Sequence, residues 1–256
     1  MAICRTKAFV LKKFDFRETS LIVRFFSEEF GKISCLFKGV RSEPEKIASR
    51  LEPFSLNEVI FYKSNKNELN LASQCDLIEG FDSLRADLNK VYSISSMLGL
   101  IDALMQPEEV NVETFGLLGD CLKLLNQNHD YQKILFIFKI KMLTLSGFEP
   151  RIDSCVACEE PIDYSQKAYF SSKCGGLLCP KCIKQERSAR MIFRGTIATL
   201  SFIQKNDLES NLRLGLNNII KKELLSFLET FLDYHLEKKL KNFQEQVLVP
   251  EPQNLK

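Results

Sequence analysis

The sequence predicts an α+β chain: an N-terminal five-stranded β-barrel of the OB-fold kind, then an α-helical domain carrying an inserted four-cysteine zinc ribbon. Three observations carry this reading. Apolar residues alternate with period two in short runs near the N-terminus, the period lengthens to a helical one from about Leu77, and five of the nine cysteines crowd into residues 155–182. The expected division is 1–78 for the barrel and 79–256 for the helical domain, with the zinc module at 151–186. At 256 residues the chain has room for one large core or two modest ones.

The barrel rests on five runs. "KAFVLKKF" is short and apolar. "TSLIVRFFS" places Leu21, Val23 and Phe25 on one face, and "GKISCLFKG" sets Ile33, Cys35 and Phe37 opposite Lys32, Ser34, Leu36 and Lys38. Such alternation marks a half-buried strand. "SEEFG" reads as a hairpin turn, with Gly31 supplying a permissive backbone. "GVRSEPEKIASRLEPF" is a polar connection with room for one helical turn, and "SLNEVIFYK" and "NELNLASQ" complete the set. Five short strands with a long connection after the third suit a small closed barrel.

Helical spacing then takes over. "DLNKVYSISSMLGLIDALM" repeats Val91, Ile94, Met97, Leu98, Ile101, Leu104 and Met105, and "NVETFGLLGDCLKLLNQ" offers Phe115, Leu118, Leu122 and Leu125. "YQKILFIFKIKMLTLSGFEP" is apolar nearly all round, the mark of a buried helix, and Gly147 and Pro150 stop it. "LNNIIKKELLSFLETFLDYHLEKKLKNF" predicts a long amphipathic helix with Leu216, Ile219, Ile220, Leu224, Phe227, Leu228, Phe231 and Leu232 as its stripe. Its basic end, Lys238, Lys239 and Lys241, suits the negative pole of the helix dipole.

Cys155-x-x-Cys158 and Cys179-x-x-Cys182, twenty residues apart, match a four-thiolate zinc pattern. Each pair forms a knuckle whose backbone N–H groups turn toward sulfur, and Lys173, Lys181 and Lys184 are near enough in sequence to offset the charge. "AYFSS" and "GGLLC" read as two ribbon strands with Gly175 and Gly176 at the bend. Cys174 lies outside both knuckles and is an alternative ligand. A redox dithiol fits less well, because neither pair opens a βαβ pattern. Four thiolates leave no position for water, so the metal braces rather than catalyses. The scattered Cys4, Cys35, Cys75 and Cys121 read as small buried hydrophobes.

No phosphate loop, dinucleotide fingerprint or nucleophile elbow occurs, and there are two histidines, His129 and His235, neither near the cluster. His235 falls on the polar end of a helix and is expected to face solvent. A binding protein is favoured over a hydrolase or thiol oxidoreductase. No apolar run is long enough for a signal peptide or a membrane span, so the reading is cytoplasmic. Overall charge is a mere +2, yet residues 1–50 hold eleven Lys or Arg against six Asp or Glu. Those cations interleave with Phe9, Phe14, Phe16, Phe25, Phe26 and Phe37, the composition of a single-stranded nucleic-acid surface. Phe25 and Phe37 fall on core faces; alternation does not assign Phe14, Phe16 and Phe26. Lys12, Lys13, Arg17, Arg24, Lys38 and Arg41 are the candidate phosphate contacts, chosen for strand ends and the loop after Gly39.

The chain resembles the RecO family of bacterial DNA-repair and recombination mediators. The resemblance lies in "KAFVLKKFDFRETSLIVRFFSEEFGKISCLFKGVRS", "LEPF", "LSGFEPRIDSCVACEE", "YFSSKCGGLLCPKC" and "YHLEKKLKNF", in order over nearly the full length. It implies a non-enzymatic, nucleoid-associated protein that binds single- and double-stranded DNA and anneals complementary strands. It also implies partnership with RecR, contact with the acidic C-terminal tail of the single-strand-binding protein, and help in loading RecA onto DNA coated by that protein. Two departures stand out: Glu159 follows Cys158 where glycine is common in the family, and Cys174 is extra. Some members lack the cysteines altogether, which separates zinc from the activity. An RNA-binding or transcription-associated protein built on the same barrel and ribbon is the alternative, since stacking and phosphate contacts do not read the sugar.

Overall fold

The computed structural model describes residues 2–40, 51–64, 69–163 and 167–246; the side chains of Gln185 and of residues 237–246 lie outside it. Strands β1 (Ile3–Phe16), β2 (Ser20–Ser27), β3 (Gly31–Phe37), β4 (Leu56–Tyr62) and β5 (Leu69–Glu79) close into a barrel in the order β1-β2-β3-β5-β4. β1 is long enough to pair with β4 through its first half and with β2 through its second. A bulge at Leu11, between Val10 and Lys12, bends it between the two. β3 and β5 run parallel, which a hairpin cannot connect, so the chain must cross over after β3.

Alternation decides which side chains fill this barrel. Leu21, Val23 and Phe25 of β2 and Ile33, Cys35 and Phe37 of β3 point inward with Ala8, Val10, Val59, Phe61 and Cys75. Burial pushes the Cys35 thiol up to about 12, so it behaves as an apolar side chain. The polar connection after Gly39 was expected to hold a helical turn; residues 41–50 lie outside the described residues.

Three helices follow: α1 (Leu88–Leu104), α2 (Val112–Asn126) and α3 (Tyr131–Leu145). Asp87 caps α1 by accepting from Asn89 N, and Asn111 caps α2 by accepting from Thr114 N. α3, apolar nearly all round, packs on both α1 and α2. The outside of the barrel is not all polar. Phe9 and Phe26 project outward and are buried on Phe115 of α2, with ring centroids 4.9 and 6.1 Å apart. Barrel and three helices together make one compact unit, residues 1–145.

The second unit, 146–256, contains a three-stranded sheet in the order β7-β6-β8, with β6 (Ala168–Ser171), β7 (Gly176–Leu178) and β8 (Arg190–Ile192). α4 (Arg194–Lys205), α5 (Leu208–Leu212) and α6 (Asn218–Gln246) complete it. Phe170 of β6 meets Phe227 edge-on at 4.6 Å and Phe231 at 5.8 Å, seating α6 on the sheet. Several expectations need correction here. β8, α4 and α5 were not anticipated, although α4 buries Thr196, Ile197, Leu200 and Ile203 at helical spacing. Ile219 is 57% exposed rather than in the α6 core stripe. His235 is half-buried rather than fully solvent-facing: its ring meets Phe231 at 4.2 Å, tilted by 44°, with Nε2 3.2 Å from the Ser172 carbonyl. Lys238, Lys239 and Lys241 belong to α6, which continues past them to Gln246, and their side chains lie outside the described residues. No helix among the described residues is long and apolar enough to cross a membrane.

Candidate functional site

Two constellations deserve chemical attention, one in each unit. In the second unit the chain segment 151–156 zips along β7. Arg151 N donates to the Gly175 carbonyl (3.0 Å), Leu177 N to Arg151 (2.9 Å) and Val156 N to Leu177 (2.8 Å). This closeness demands glycine at 176, where a Cβ would sit 2.3 Å from the Arg151 carbonyl oxygen. The expected bend therefore divides its labour: Gly175 takes the left-handed φ of +76°, and Gly176 permits the close approach.

The zipper delivers Cys155 and Cys158 to Cys179, which follows the last residue of β7, and to Cys182. The four sulfurs lie within 4.8 Å of one another, with Cys158 Sγ 3.9 Å from Cys179 Sγ. A tetrahedral ion bound at about 2.3 Å would space sulfurs about 3.8 Å apart. The set fits a metal ion. Backbone donors converge as well, with Cys179 N 3.4 Å from Cys155 Sγ. Burial raises the Cys155 thiol, but N–H groups of Cys179, Cys158 and Ala157 outweigh it and bring it down to about 6. Cys182 is pushed the other way, to about 12, first by its bond to Cys179, then by burial and the remaining sulfurs. Four thiolates cannot share this volume without a cation, which a divalent ion supplies. Cys174 is exposed, and its Sγ lies 3.8 Å from a Glu186 carboxylate oxygen rather than in the four-sulfur group. Lys173 also turns to Glu186, at 3.8 Å, and Lys181 and Lys184 are exposed.

The other constellation lies on the outer face of β1, β2 and β3. Register fixes its layout: Lys12 pairs with Arg24 and Arg24 with Ser34, while Phe14 pairs with Ile22 and Ile22 with Leu36. Lys12 Nζ, Arg24 Nη1 and Lys32 Nζ reach one carboxylate, Asp102 of α1, at 3.0, 3.1 and 3.3 Å. Lys32 Nζ also donates to the Asp102 carbonyl at 2.5 Å. Burial pushes the Asp102 carboxyl up, yet the hydrogen bond from Lys12 and the charges of Lys32 and Arg24 outweigh it and hold the group below its ordinary range. Three cations around one carboxylate leave the cluster positive.

The remaining candidates scatter more widely. Lys13 pairs with Glu52 at 2.5 Å on the other side of the strand. Arg17 sits in the β1–β2 turn at φ +53°, with its guanidinium 5.3 Å from the Phe16 ring centroid. Lys38 is exposed just past β3, and Arg41 lies outside the described residues. Phe14 is 46% exposed, with the Arg24 guanidinium 5.9 Å from its centroid, whereas Phe26 is fully buried and unavailable to any ligand. Sequence reasoning missed Asp102. Its one signal was a lone carboxylate near the C-terminal, electronegative end of α1, in the apolar half that follows Ser96, where it needs cations to be tolerated.

Comparison with known proteins covers nearly the whole chain. The family model "Recombination protein O N terminal" matches residues 1–81, and "Recombination protein O C terminal" matches residues 85–243. A "DNA repair protein RecO" of Desulforamulus reducens is 30% identical over 241 residues, covering 94% of this chain and 93% of that one. Its counterpart in Syntrophus aciditrophicus is 28% identical over 242 residues, again 94% and 93%. That of Desulfatibacillum aliphaticivorans is 30% identical over 243 residues, 93% and 94%.

Proposed function

The chain belongs to the RecO family and shares its role in DNA repair and recombination, and from that premise we propose that it is a non-enzymatic DNA-binding mediator. It binds single- and double-stranded DNA, anneals complementary strands and, with RecR, helps load RecA onto DNA covered by the single-strand-binding protein, whose acidic tail it contacts. It works in the cytoplasm at the nucleoid, where thiols stay reduced. The observation that carries the DNA assignment is the pair Lys12 and Arg24, with side chains 53% and 38% exposed, beside the exposed Phe14 on the outer face of β1 and β2, while Lys32, 12% exposed, is held on Asp102 next to them. Arg17, in the β1–β2 turn, and Lys38, just past β3, extend the phosphate contacts, and Lys13 and Arg41 are kept as phosphate contacts on their charge alone.

The mechanism follows from the geometry. Phosphates meet the outward Lys12 and Arg24 and release their own counterions, an entropy-driven gain that weakens as salt rises. Asp102 keeps both cations pointed at one place in the absence of ligand. Cys155, Cys158, Cys179 and Cys182 would hold a single structural Zn²⁺, which would brace the second unit rather than activate water, because protein sulfur would fill its four positions.

The test is a titration of oligonucleotide binding against salt for Lys12→Gln/Arg24→Gln. Loss of two phosphate contacts should lower the magnitude of the logarithmic salt slope by about 1.4 for a single strand, with weaker binding of every sequence alike. An unchanged slope moves the interface elsewhere.

A further inference from the structure

Resting on that reading of the barrel face, we infer that Phe14, Ile22 and Leu36 form a base-stacking subsite, which makes an unpaired strand the preferred ligand. The three residues are cross-strand neighbours on the outside of β1, β2 and β3. Further along the same face, Phe9 and Phe26 are sealed by Phe115, but this row is left open, with Phe14 46% exposed and Ile22 and Leu36 half-buried. An apolar row beyond the cover of the helices has no role in the core of its own unit.

Charge names the occupant. Lys12 and Arg24 form the next row on one side, about 7 Å away by strand rise and within one nucleotide's reach from base to phosphate. On the other side the face ends at Phe16 and Ser20, with Arg17 in the turn and Lys38 past the end of β3. A ring platform between two cationic margins fits a polyanion that carries flat, exposed rings. A paired duplex buries its base faces in its own stack and reaches only the margins. The row therefore separates single from double strands, a distinction that phosphate contacts cannot make.

The chain contains no tryptophan, so Phe14→Trp introduces a sole indole reporter at the subsite. Excited selectively, it should be quenched by oligo-dT and unaffected by a duplex of equal length. Phe14→Ala, at a half-exposed site that tolerates truncation, should weaken oligo-dT binding about 5- to 160-fold. Its salt slope, its duplex affinity and its affinity for an abasic oligomer of equal charge should match the parent chain. Oligo-dT affinity unchanged in Phe14→Ala, or an indole that is not quenched, overturns the subsite while the phosphate reading stands. Equal losses on oligo-dT, duplex and abasic oligomer overturn it too, by making Phe14 a general prop of the face. If Phe14→Ala instead changes the sedimenting mass of DNA-free protein at unchanged DNA affinity, the row joins two copies of the chain and the subsite is refuted. Parent chain that binds no polynucleotide at all removes both readings together.

Discussion

Glu159 occupies the left-handed region, φ +63°, immediately after the first metal knuckle, with its N–H donated to the Cys155 carbonyl at 2.9 Å. A side chain there crowds its own backbone at a cost on the order of 1 kcal/mol, which glycine avoids. This explains why family resemblance leads one to expect glycine at that place. Glu159→Gly should raise stability by about 0.5–1 kcal/mol in urea unfolding of the metal-loaded protein. Glu159→Ala, which keeps the strain, should bring no such gain. The exposed pair with Arg151, 3.9 Å apart, contributes too little to reverse the sign. Phe14 and Phe26 show what a single residue can and cannot reveal. Both sit in Phe- and cation-rich strands and look alike in sequence; a partner ring on α2, remote in the chain, buries one and not the other. Asp102 was hidden for the same reason, since its three cations come from strands some seventy or more residues earlier.

At the scale of elements, the β2–β3 hairpin is easy to read and closely packed against the loop before α2. Gly31 adopts φ +61°, and a Cβ there would lie 2.2 Å from the Glu109 carbonyl oxygen. The loop before α2 lies against the hairpin: Lys32 bridges Pro107, and Glu108 N donates to the Lys32 carbonyl at 3.0 Å. Gly31→Ala must therefore bear both backbone strain and a backbone collision, a loss of about 2–4 kcal/mol in thermal or urea unfolding. Gly39→Ala is the control, with φ +73° but open space around the position, and should cost nearer 1 kcal/mol. β3 and β4 were legible because burial alternates along them, whereas β1 and β2 are dry on both faces around Phe9 and Phe26 and were legible as short apolar runs. The sulfur cluster was legible because two-residue spacing is itself the knuckle. β8 and α5, at three and five residues, are too short for any period to register. α4 opens with Arg-Gly-Thr and has no side-chain cap, so the usual start signal is missing.

Across the whole molecule, the change of hydrophobic period and the boundary of packing fall at different places. The period changes near residue 78, but the compact units part at 145/146, because the barrel's outward Phe9 and Phe26 require α2 to cover them. The first unit thus has two apolar layers, one inside the barrel and one outside it, where Phe9 and Phe26 meet Phe115 of α2 and α2 packs on α3. The second has a small sheet whose outer strand is three residues long and whose opposite margin is tied to the metal knuckles. With the proposed ion in its cysteine site, such a unit should depend on it, as small loop-rich metal modules do. The full chain should hold about one zinc, and stripping it with a strong chelator should act on one unit selectively. Followed by hydrogen exchange, amides of residues 151–157 and 168–183 should lose protection while those of β1 to β3 and α3 keep theirs. Cys179→Ser should reproduce the same map without chelator, because Cys179 supplies both a sulfur and the N–H that lowers Cys155. Full protection of 168–183 in metal-free protein would mean that the sheet stands on its Phe170–Phe227–Phe231 packing alone, and the bracing role assigned to the ion would fail.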